Sequence, residues 1–571
     1  MSQTENLFQQ AIEAHQQGNL ACAKKHYEQL LEYQPLHAQA MYRLSILATT
    51  AQQWDNAMAW IQKALNIQPN SARFHHHLAK ILKNNGQFES ALSHYKTALY
   101  WDPHSAEVHN NCGVLFFNQK KYSEAHQHYA QAIHLKPDYL EAHFNLGLLF
   151  VAQAEKEAAI IQFNQVLALD PHSTQVHWQL ATIHWERNNL EKVHTHYQAL
   201  RKLTPHSFEL LNNLGALALK QHQPEIAIDY FRQALTFEPK HKDSRNNLAA
   251  SLLQKNEFKE SIWHYSLYLH LEPNDKEALY NRAQGFMFTG QLDKAIQDLK
   301  KILTLDATHI DSYCNLAAIY LKLEDKDLAI KTYQQVLNRQ EGHPIASYML
   351  SALTQQLIPP TPPLEYVKNL FDNYALQFDK HLKEVLHYKT PELLRNLIAP
   401  YLKDKKYKVL DLGCGTGLSG IPFAEIAEKL TGIDISNNML TQAKTKNCYD
   451  EFIEKDILSG LNTLKQCYDL ILCVDTLVYF GELEELFSKI VSRLETDGLF
   501  SFSIELADES VISYHLQTTG RYQHASIYIE NLAKKNNLEC LSHVVVEGRY
   551  QKNEFVKTGL FVLKKHEEYI I

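Results

Sequence analysis

Small and apolar residues return along the first 343 positions at a fixed interval of 34. Ala23, Ala57, Ala91, Ala125, Ala159, Val193, Ala227, Ser261, Ala295 and Ala329 hold one such position. Four residues later stand Tyr27, Ile61, Tyr95, Tyr129, Phe163, Tyr197, Phe231, Tyr265, Leu299 and Tyr333. Pro35, Pro69, Pro103, Pro137, Pro171, Pro205, Pro239 and Pro273 close successive units, and Ala307 and Glu341 continue the series without proline. A small residue at a fixed place lets two antiparallel helices approach, and the larger one fills the gap to the next pair. Proline lacks a backbone donor and disfavours helix in the residue before it, so it ends the second helix. One helix pair cannot bury its own apolar face, which predicts a stack of pairs.

The pattern then changes. HPIASYMLSALTQQL predicts a capping helix, and IPPTPPLE, residues 358–365, predicts a stiff extended connector. The expected division is therefore 1–357, a connector at 358–365, and a second domain at 366–571. In that domain YVKNLFDNYALQFDKHL and PELLRNLIAPYL have helical spacing. Short apolar runs follow: KVLDL, LTGID, FIEKD, YDLILCV and LFSFSIE. Strands alternating with helical stretches predict a doubly wound α/β layer. LSHVVVEGRY and FVKTGLFVLKK, with only a short turn between them, predict an antiparallel hairpin at the sheet edge.

Composition narrows the classes. The net charge of −8 supplies no bulk positive field for nucleic acid or an anionic membrane. MSQTENLFQQ lacks a basic segment followed by an apolar run, and no uninterrupted apolar stretch approaches spanning length. The eight cysteines form no C-x-x-C pair, so neither a zinc cluster nor a disulfide framework is suggested. A cytoplasmic protein without a metal is the expectation.

The 34-residue pattern resembles the tetratricopeptide repeat, in ten copies over residues 4–343. That resemblance implies an all-α solenoid with a concave inner surface. Two polar series run through it. His75, His109, His143 and His177 share one repeat position, and repeats stack roughly 8–10 Å apart, too far for shared metal ligation. They are expected as partly buried spacers. Asn111, Asn145, Asn213, Asn247, Asn281 and Asn315 share another, with Gln179 at a missing rung. This series resembles the asparagine ladder inside the repeats of O-linked N-acetylglucosamine transferases. A carboxamide offers donor and acceptor, matching a peptide group. The resemblance implies a protein or peptide partner on the concave face; the competing expectation is that these amides brace neighbouring helices.

The second domain holds VLDLGCGTGLSG at 409–420. Gly415, Gly417 and Gly420 spell the dinucleotide fingerprint G-x-G-x-x-G. Yet Asp411 stands just before the glycines, and a carboxylate facing a pyrophosphate is electrostatically wrong, whereas one facing an ammonium is right. D-L-G-C-G-T-G resembles the first motif of class I S-adenosylmethionine-dependent methyltransferases. That implies a Rossmann-like domain with a seven-stranded, mostly parallel sheet. By the same resemblance Gly413, Gly415 and Gly417 approach the methionine part of the cofactor, Asp434 accepts the ribose hydroxyls, and Asp456 lies near the adenine. An acid at Asp434 would also suit NAD.

FDNYALQFDKHL looks like the lid helix of methyltransferases of biotin and quinone biosynthesis. Tyr374 and Phe378, four apart on it, are expected either over the cofactor or packed on the sheet. Val474 is expected beside the cofactor. Asp475 and Tyr479, after the fourth strand, are expected to line the reaction pocket. Glu505, Arg521, Tyr522 and His524 are polar candidates beyond strand five, with Arg521 able to hold an acceptor carboxylate and His524 a possible acceptor contact. The motif (N/D)-P-P-(Y/F) of methyltransferases acting on adenine or glutamine is absent, its place held by Asp475-Thr476-Leu477-Val478. Three functions follow: a methyltransferase whose repeats recruit a protein, a small-molecule or carrier-bound carboxylate or hydroxyl methyltransferase with repeats for assembly, and a cofactor-binding adaptor without turnover.

Overall fold

A computed structural model describes residues 3–380, 382, 386, 388–551 and 554–566, the side chains of 373, 376, 377, 551 and 554 excepted. Two compact units divide the chain, Met1–Tyr268 and Leu269–Ile571. The division falls inside a repeat helix, not at the proline-rich segment.

Twenty-one helices, α1 (Gln3–Gln16) to α21 (Pro344–Thr354), make up the repeats and their cap. Within each unit the helices pack as sequential antiparallel pairs. All ten residues of the small position, from Ala23 to Ala329, are fully buried, and so are nearly all of the larger series. A third position carries the close approach further. A Cβ on Gly113, Gly147 or Gly215 would stand 2.4–2.6 Å from the ring of Tyr129, Phe163 or Phe231, sixteen residues on. The turn inside each pair needs a left-handed residue, and it too keeps the period. Gly18, Gln52, Gly86, Lys120, Ala154, Asn188, His222, Asn256, Gly290 and Glu324 all have φ between 55° and 77°.

The second unit continues through an α/β domain. α22 (Leu364–Lys380) and α23 (Thr390–Ile398) precede a seven-stranded sheet. Its strands are β1 (Tyr407–Leu412), β2 (Ala427–Asp434), β3 (Glu451–Glu454), β4 (Tyr468–Cys473), β5 (Leu494–Glu505), β8 (Leu538–Gln551) and β9 (Glu554–Lys565), with a separate two-stranded β6 (Tyr514–Leu516) and β7 (Tyr522–His524). The order is β3-β2-β1-β4-β5-β9-β8. β1 to β5 are parallel, and β9 runs antiparallel between β5 and the edge strand β8. β1 is buried along almost its whole length because helices cover both faces. α24 (Asn437–Lys444), α25 (Ile457–Thr463), α26 (Glu484–Arg493) and α27 (Ser526–Lys535) supply that cover with α23. Strand order reverses between β1 and β4, and the crevice at the carboxyl ends of such strands is where ligands bind in this architecture.

The proline-rich segment is not a free connector. Pro360 O accepts from Gly481 N at 2.8 Å and Glu482 N at 3.1 Å, and Pro359 O accepts from the Tyr522 hydroxyl at 2.7 Å. α21 docks on β6–β7: Tyr348 Oη donates to Gly520 O at 2.9 Å and Gln355 Nε2 to Leu516 O at 2.9 Å. Tyr313, Tyr333, Tyr348 and Met349 share one apolar cluster with Leu516 and Tyr522. The cap and last repeats thus share the core of the second unit.

Candidate functional site

β1 delivers the chain to a glycine turn at the switch point. Gly413, Gly415 and Gly417 have φ of 73°, 53° and 86°, the left-handed region that glycine enters without a Cβ clash. Gly413 N and Cys414 N donate to Ile433 O at 2.8 and 3.1 Å, fastening the turn to the end of β2. A Cβ on Gly413 would meet Thr476 at 2.5 Å. At Gly415 it would enter open space, with the nearest atom, on the Phe378 ring, 4.0 Å away. Asp434 ends β2. Its Oδ2 accepts from Gly415 N and its Oδ1 from Ser436 N, both at 2.9 Å, while burial pushes its carboxyl above the ordinary range. Asp456 follows β3 and caps α25, accepting from Ser459 N at 3.0 Å.

Asp411 lies behind this wall instead of in it. It is fully buried, and its Oδ2 accepts from Ser419 Oγ and Tyr449 Oη, each at 2.6 Å. Oδ1 has no hydrogen-bond partner among the described residues, and burial raises the carboxyl to about 6. Tyr449 was not legible in the sequence. Its ring occupies the space that two glycines leave: a Cβ on Gly420 would come within 2.4 Å of its hydroxyl, and one on Gly432 within 3.0 Å of its ring. The last glycine of the literal fingerprint therefore makes room for a tyrosine. Gly417 also packs away from the cavity, its Cβ position 3.1 Å from Tyr449.

A cavity of about 390 Å³ opens over the strand ends, bordered by Gly413, Gly415, Asp434, Asp456, Val474, Asp475, Tyr479 and Arg521. That volume lies within the ordinary range for small-molecule sites. α22 roofs it with Phe371, Tyr374 and Phe378, and Thr361, Pro362 and Leu364 complete one rim. Tyr374 and Phe378 meet edge to face, centroids 5.5 Å apart, and Phe371 meets Tyr479 the same way at 5.3 Å. The roof is pinned to the glycine side by polar contacts. Ser436 Oγ donates to Asp372 Oδ1 at 2.5 Å, Asn438 Nδ2 to Asp372 O at 3.1 Å, and Asp379 receives Thr416 Oγ1 and the Lys446 ammonium.

The opposite side is built differently. Asp475 has a φ of 51°, its N donates to Ser503 Oγ at 2.7 Å, and Ser503 Oγ lies 3.0 Å from its Oδ1. Burial, and then Asp475, push the phenol of Tyr388 well up. Arg521 reaches Glu505 Oε1 through Nε at 2.8 Å and Tyr479 Oη at 3.0 Å. Arg549, absent from the sequence-based candidates, reaches the same Glu505 Oε1 at 2.9 Å and also lines the cavity. His524 does not. It is fully buried, its Nε2 lies 3.2 Å from Gly481 O, and its ring stacks on Tyr528. Burial takes it down to about 4, so it is a neutral residue packed at the end of β7, outside the cavity where an acceptor contact was expected of it.

In the repeats several members of the polar series bond to other residues of the repeats. In the first unit Asn145 Nδ2 donates to Asn110 Oδ1 at 2.9 Å, Asn247 Nδ2 to Asn212 Oδ1 at 3.0 Å, and Asn111 Nδ2 lies 3.2 Å from His76 Nε2. In the second, Asn315 Nδ2 donates to Tyr280 Oη at 3.1 Å. Asn213 and Asn281 are half-buried. Each bond runs 35 residues back, so these amides brace successive repeats. The histidines pair within repeats: His75, His109 and His177 place Nδ1 at 3.0–3.1 Å from Nδ1 of His94, His128 and His196, and His143 meets Gln162. Their Nε2 atoms face carbonyls of Pro69, Pro103, Pro171 and Pro137. Among the described residues no group of three or more His, Cys, Asp or Glu is arranged to hold a metal ion, and no helix is long and apolar enough to cross a membrane.

These features define a class: tetratricopeptide repeats followed by a methyltransferase domain. A methyltransferase-domain model matches residues 409–498, and tetratricopeptide-repeat models match 8–72, 60–93, 81–154, 140–173, 212–276 and 276–343. Among curated proteins, the chain is 29% identical over 143 residues to a protein of Geobacillus sp. (strain WCH70) provisionally named a methyltransferase, covering 24% of this chain and 57% of that one. It is 27% identical over 139 residues to the malonyl-[acyl-carrier protein] O-methyltransferase of Bacillus anthracis, covering 23% and 50%. The chain thus spans about half the length of these relatives. A magnesium protoporphyrin IX methyltransferase from Synechocystis PCC 6803, solved with bound SAH, is similar over 35% of this chain and 99% of that one, at 18% identity and a TM-score of 0.29.

Proposed function

We propose that this protein transfers a methyl group from S-adenosylmethionine and that its repeats bind a protein partner or protein substrate. The observation that carries the first half is the chemistry of the glycine side. Asp434 Oδ2 takes the Gly415 N–H at 2.9 Å, an amide of the glycine turn that a dinucleotide enzyme would leave for a pyrophosphate, and Asp456 adds a second carboxylate to the border. The group fits: a cradle at Gly415 that any side chain would fill, a carboxylate held in place by two backbone amides, and an aromatic roof. Bound there, the cofactor would supply a methyl group on a sulfonium, already an activated leaving group. Asp434 would accept ribose hydroxyls, Tyr374 and Phe378 would exclude water and offer ring faces to a cation, and Val474 would close the floor. Asp475 and Tyr479 would position the acceptor, where orientation alone contributes ~7–11 kcal/mol. The test is calorimetry of the full chain with S-adenosylhomocysteine and with NAD; preference for NAD rejects the reading. The full chain is required because residues 366–571 alone would lose Tyr348, Pro359 and Pro360 from their core.

A second reading has one observation in its favour. The amides expected to hold a peptide are engaged by the preceding repeat, as assembly repeats acting on a small-molecule enzyme would require. Labelled methyl transfer into cell-extract fractions separates the two. Label in protein that disappears when Asn213, Asn247 and Asn281 are replaced together by alanine supports recruitment. Label confined to small acid-soluble molecules, unaffected by those changes, supports assembly.

A further inference from the structure

The two ends of the cavity differ in their charges. Asp434 and Asp456 stand at the ends of β2 and β3, on the side of the glycine turn. Among the described residues its other charged side chains are Asp475, which follows β4, and Arg521 and Arg549, on the β7 approach and β8.

These three, with Glu505 behind them, form a matched set. Arg521 Nε and Nη2, each at 2.8 Å, and Arg549 Nη2, at 2.9 Å, meet Glu505 Oε1, and these three side chains are nearly withdrawn from solvent. Arg521 Nη1 donates to the Tyr479 hydroxyl at 3.0 Å. Asp475 is the second carboxylate, and it is fixed. Its N donates to Ser503 Oγ at 2.7 Å, that Oγ lies 3.0 Å from its Oδ1, and the Tyr388 hydroxyl bonds to its side chain. Burial works first against both guanidinium charges. At Arg521 the neighbours Tyr479, Glu505 and Asp475 outweigh it and hold the pKa above the ordinary value. At Arg549, where the charge of Arg521 adds to burial and the pKa falls, Glu505 and Asp475 oppose the fall. Two guanidiniums and two carboxylates leave this wall without net charge. An anion brought to it would be a third negative charge against two positive ones, and a cation a third positive one. Either is a buried charge without a partner, which is costly.

The roof over this wall is apolar. Leu364, Val367, Phe371, Tyr374 and Phe378 recur every three or four residues along α22 and all line the cavity, so one helical face supplies the roof. Phe378 lies on the glycine side, 4.0 Å from the Cβ position of Gly415, whereas Phe371 meets the Tyr479 ring with centroids 5.3 Å apart. The stretch from Leu364 to Phe371 therefore covers the Tyr479–Arg521 end. Leu364 and Leu370 line the cavity and are still exposed, so the apolar surface reaches the rim.

We infer that the methyl acceptor is uncharged and mostly apolar, and that Asp475 sets this preference by completing the charge balance of Arg521, Arg549 and Glu505. This rests on the methyltransferase reading and adds the acceptor's charge class to it. The two arginines then shape the wall and hold Tyr479, and take no charged group from the acceptor.

The experiment is calorimetry on the full chain saturated with S-adenosylhomocysteine, at neutral pH and constant ionic strength. The probes share one ring and differ in charge: benzyl alcohol, benzoate and benzylammonium. Benzyl alcohol should bind, and each ion should bind about tenfold more weakly or worse. The variant is D475N. Asparagine enters the left-handed region as readily as aspartate does, so the φ of 51° is kept, and its amide oxygen still accepts from Ser503. With two guanidiniums then facing one carboxylate, D475N should raise the affinity for benzoate relative to benzyl alcohol by about tenfold or more. Should the variant fail to fold, the wild-type ranking of the three probes decides alone. Either ion binding as tightly as benzyl alcohol, no binding of benzyl alcohol, or an unchanged ratio in folded D475N overturns the inference. Failure of S-adenosylhomocysteine itself to bind would instead overturn the methyltransferase reading, and the response of benzoate to D475N, read without it, would still decide the charge balance.

Discussion

Gly215 and Gly420 use the same device for different ends. In the repeats a Cβ on Gly215 would stand 2.4 Å from the Phe231 ring, and in the α/β domain one on Gly420 would stand 2.4 Å from the Tyr449 hydroxyl. The first contact closes one helix pair and recurs at Gly113 and Gly147. The second occurs once, and its tyrosine also donates to the buried Asp411 beneath the cofactor-type turn. In a periodic region a contact is duplicated along the chain and its loss is local. In the single-copy region packing, hydrogen bonding and the binding turn pass through the same ring.

The largest expected effect breaks the single-copy side outright. Asp434→Ala removes the acceptor of Gly415 N and Ser436 N together with the proposed ribose contacts. Two hydrogen bonds to a charged group at ~1.5 kcal/mol each correspond to about a 100-fold loss of S-adenosylhomocysteine affinity. Calorimetry measures it; unchanged affinity would mean that β2 does not end at the cofactor. Next comes pH. Burial holds the Asp411 carboxyl up at about 6 in the folded chain, against about 3.9 when unfolded. Between those values the folded chain keeps a proton that the unfolded chain releases, so stability falls as pH rises through that window. The loss is about 3 kcal/mol in all. Asp411→Asn removes the titration: its melting temperature should match wild type near pH 4 and exceed it above pH 6. Parallel curves would mean that the carboxyl is not strained.

The glycine pair sharpens the comparison directly. Gly215→Ala should cost about 1–3 kcal/mol by overpacking, seen in chemical denaturation, with cofactor affinity intact. Gly420→Ala should cost that and lower cofactor affinity as well, since it displaces the donor to Asp411. Equal behaviour of the two variants would remove the distinction between duplicated and single-copy contacts.

What the sequence made legible follows the same divide. Ten copies of a small-residue position let the helix pairs be read without any structure, and the strand runs and motif D-L-G-C-G-T-G marked the sheet and its switch point. The roof helix was legible because FDNYALQFDKHL has helical spacing, and Asp434 because it ends the apolar run LTGID. Tyr449 and Tyr388 were not, because each reaches its site from a segment with no local pattern; Arg549 was not, because the strand pattern of LSHVVVEGRY does not tell which of its side chains reaches a distant cavity. β6 and β7, three residues each, are too short for alternation to register. The docking of α21 and the prolines was hidden because proline composition marks a break in helix, not the absence of tertiary contacts: their carbonyls remain acceptors, and Gly481, Glu482 and Tyr522 use them. The asparagine series was visible as a series, yet its direction was not, since an amide serves a neighbouring helix or a peptide equally well.

The smallest expected effect returns to the repeats. The turn inside each helix pair demands a positive φ at an interval of 34, and glycine meets it only at Gly18, Gly86 and Gly290. Ala154, with a φ of 61°, bears a Cβ in the left-handed region without a polar side chain to compensate. Relief of that strain is worth about 1–2 kcal/mol, but glycine also frees the unfolded chain by about 0.4–1 kcal/mol. Ala154→Gly should therefore stabilise the protein by no more than about 1.6 kcal/mol, measured as a higher denaturant midpoint with an unchanged slope. The same change at Ala159, fully buried where two helices meet, should destabilise it instead. The sign of each change is then set by its phase within the 34-residue unit, so a destabilising Ala154→Gly would break the periodic account of the turns while leaving the single-copy site untouched.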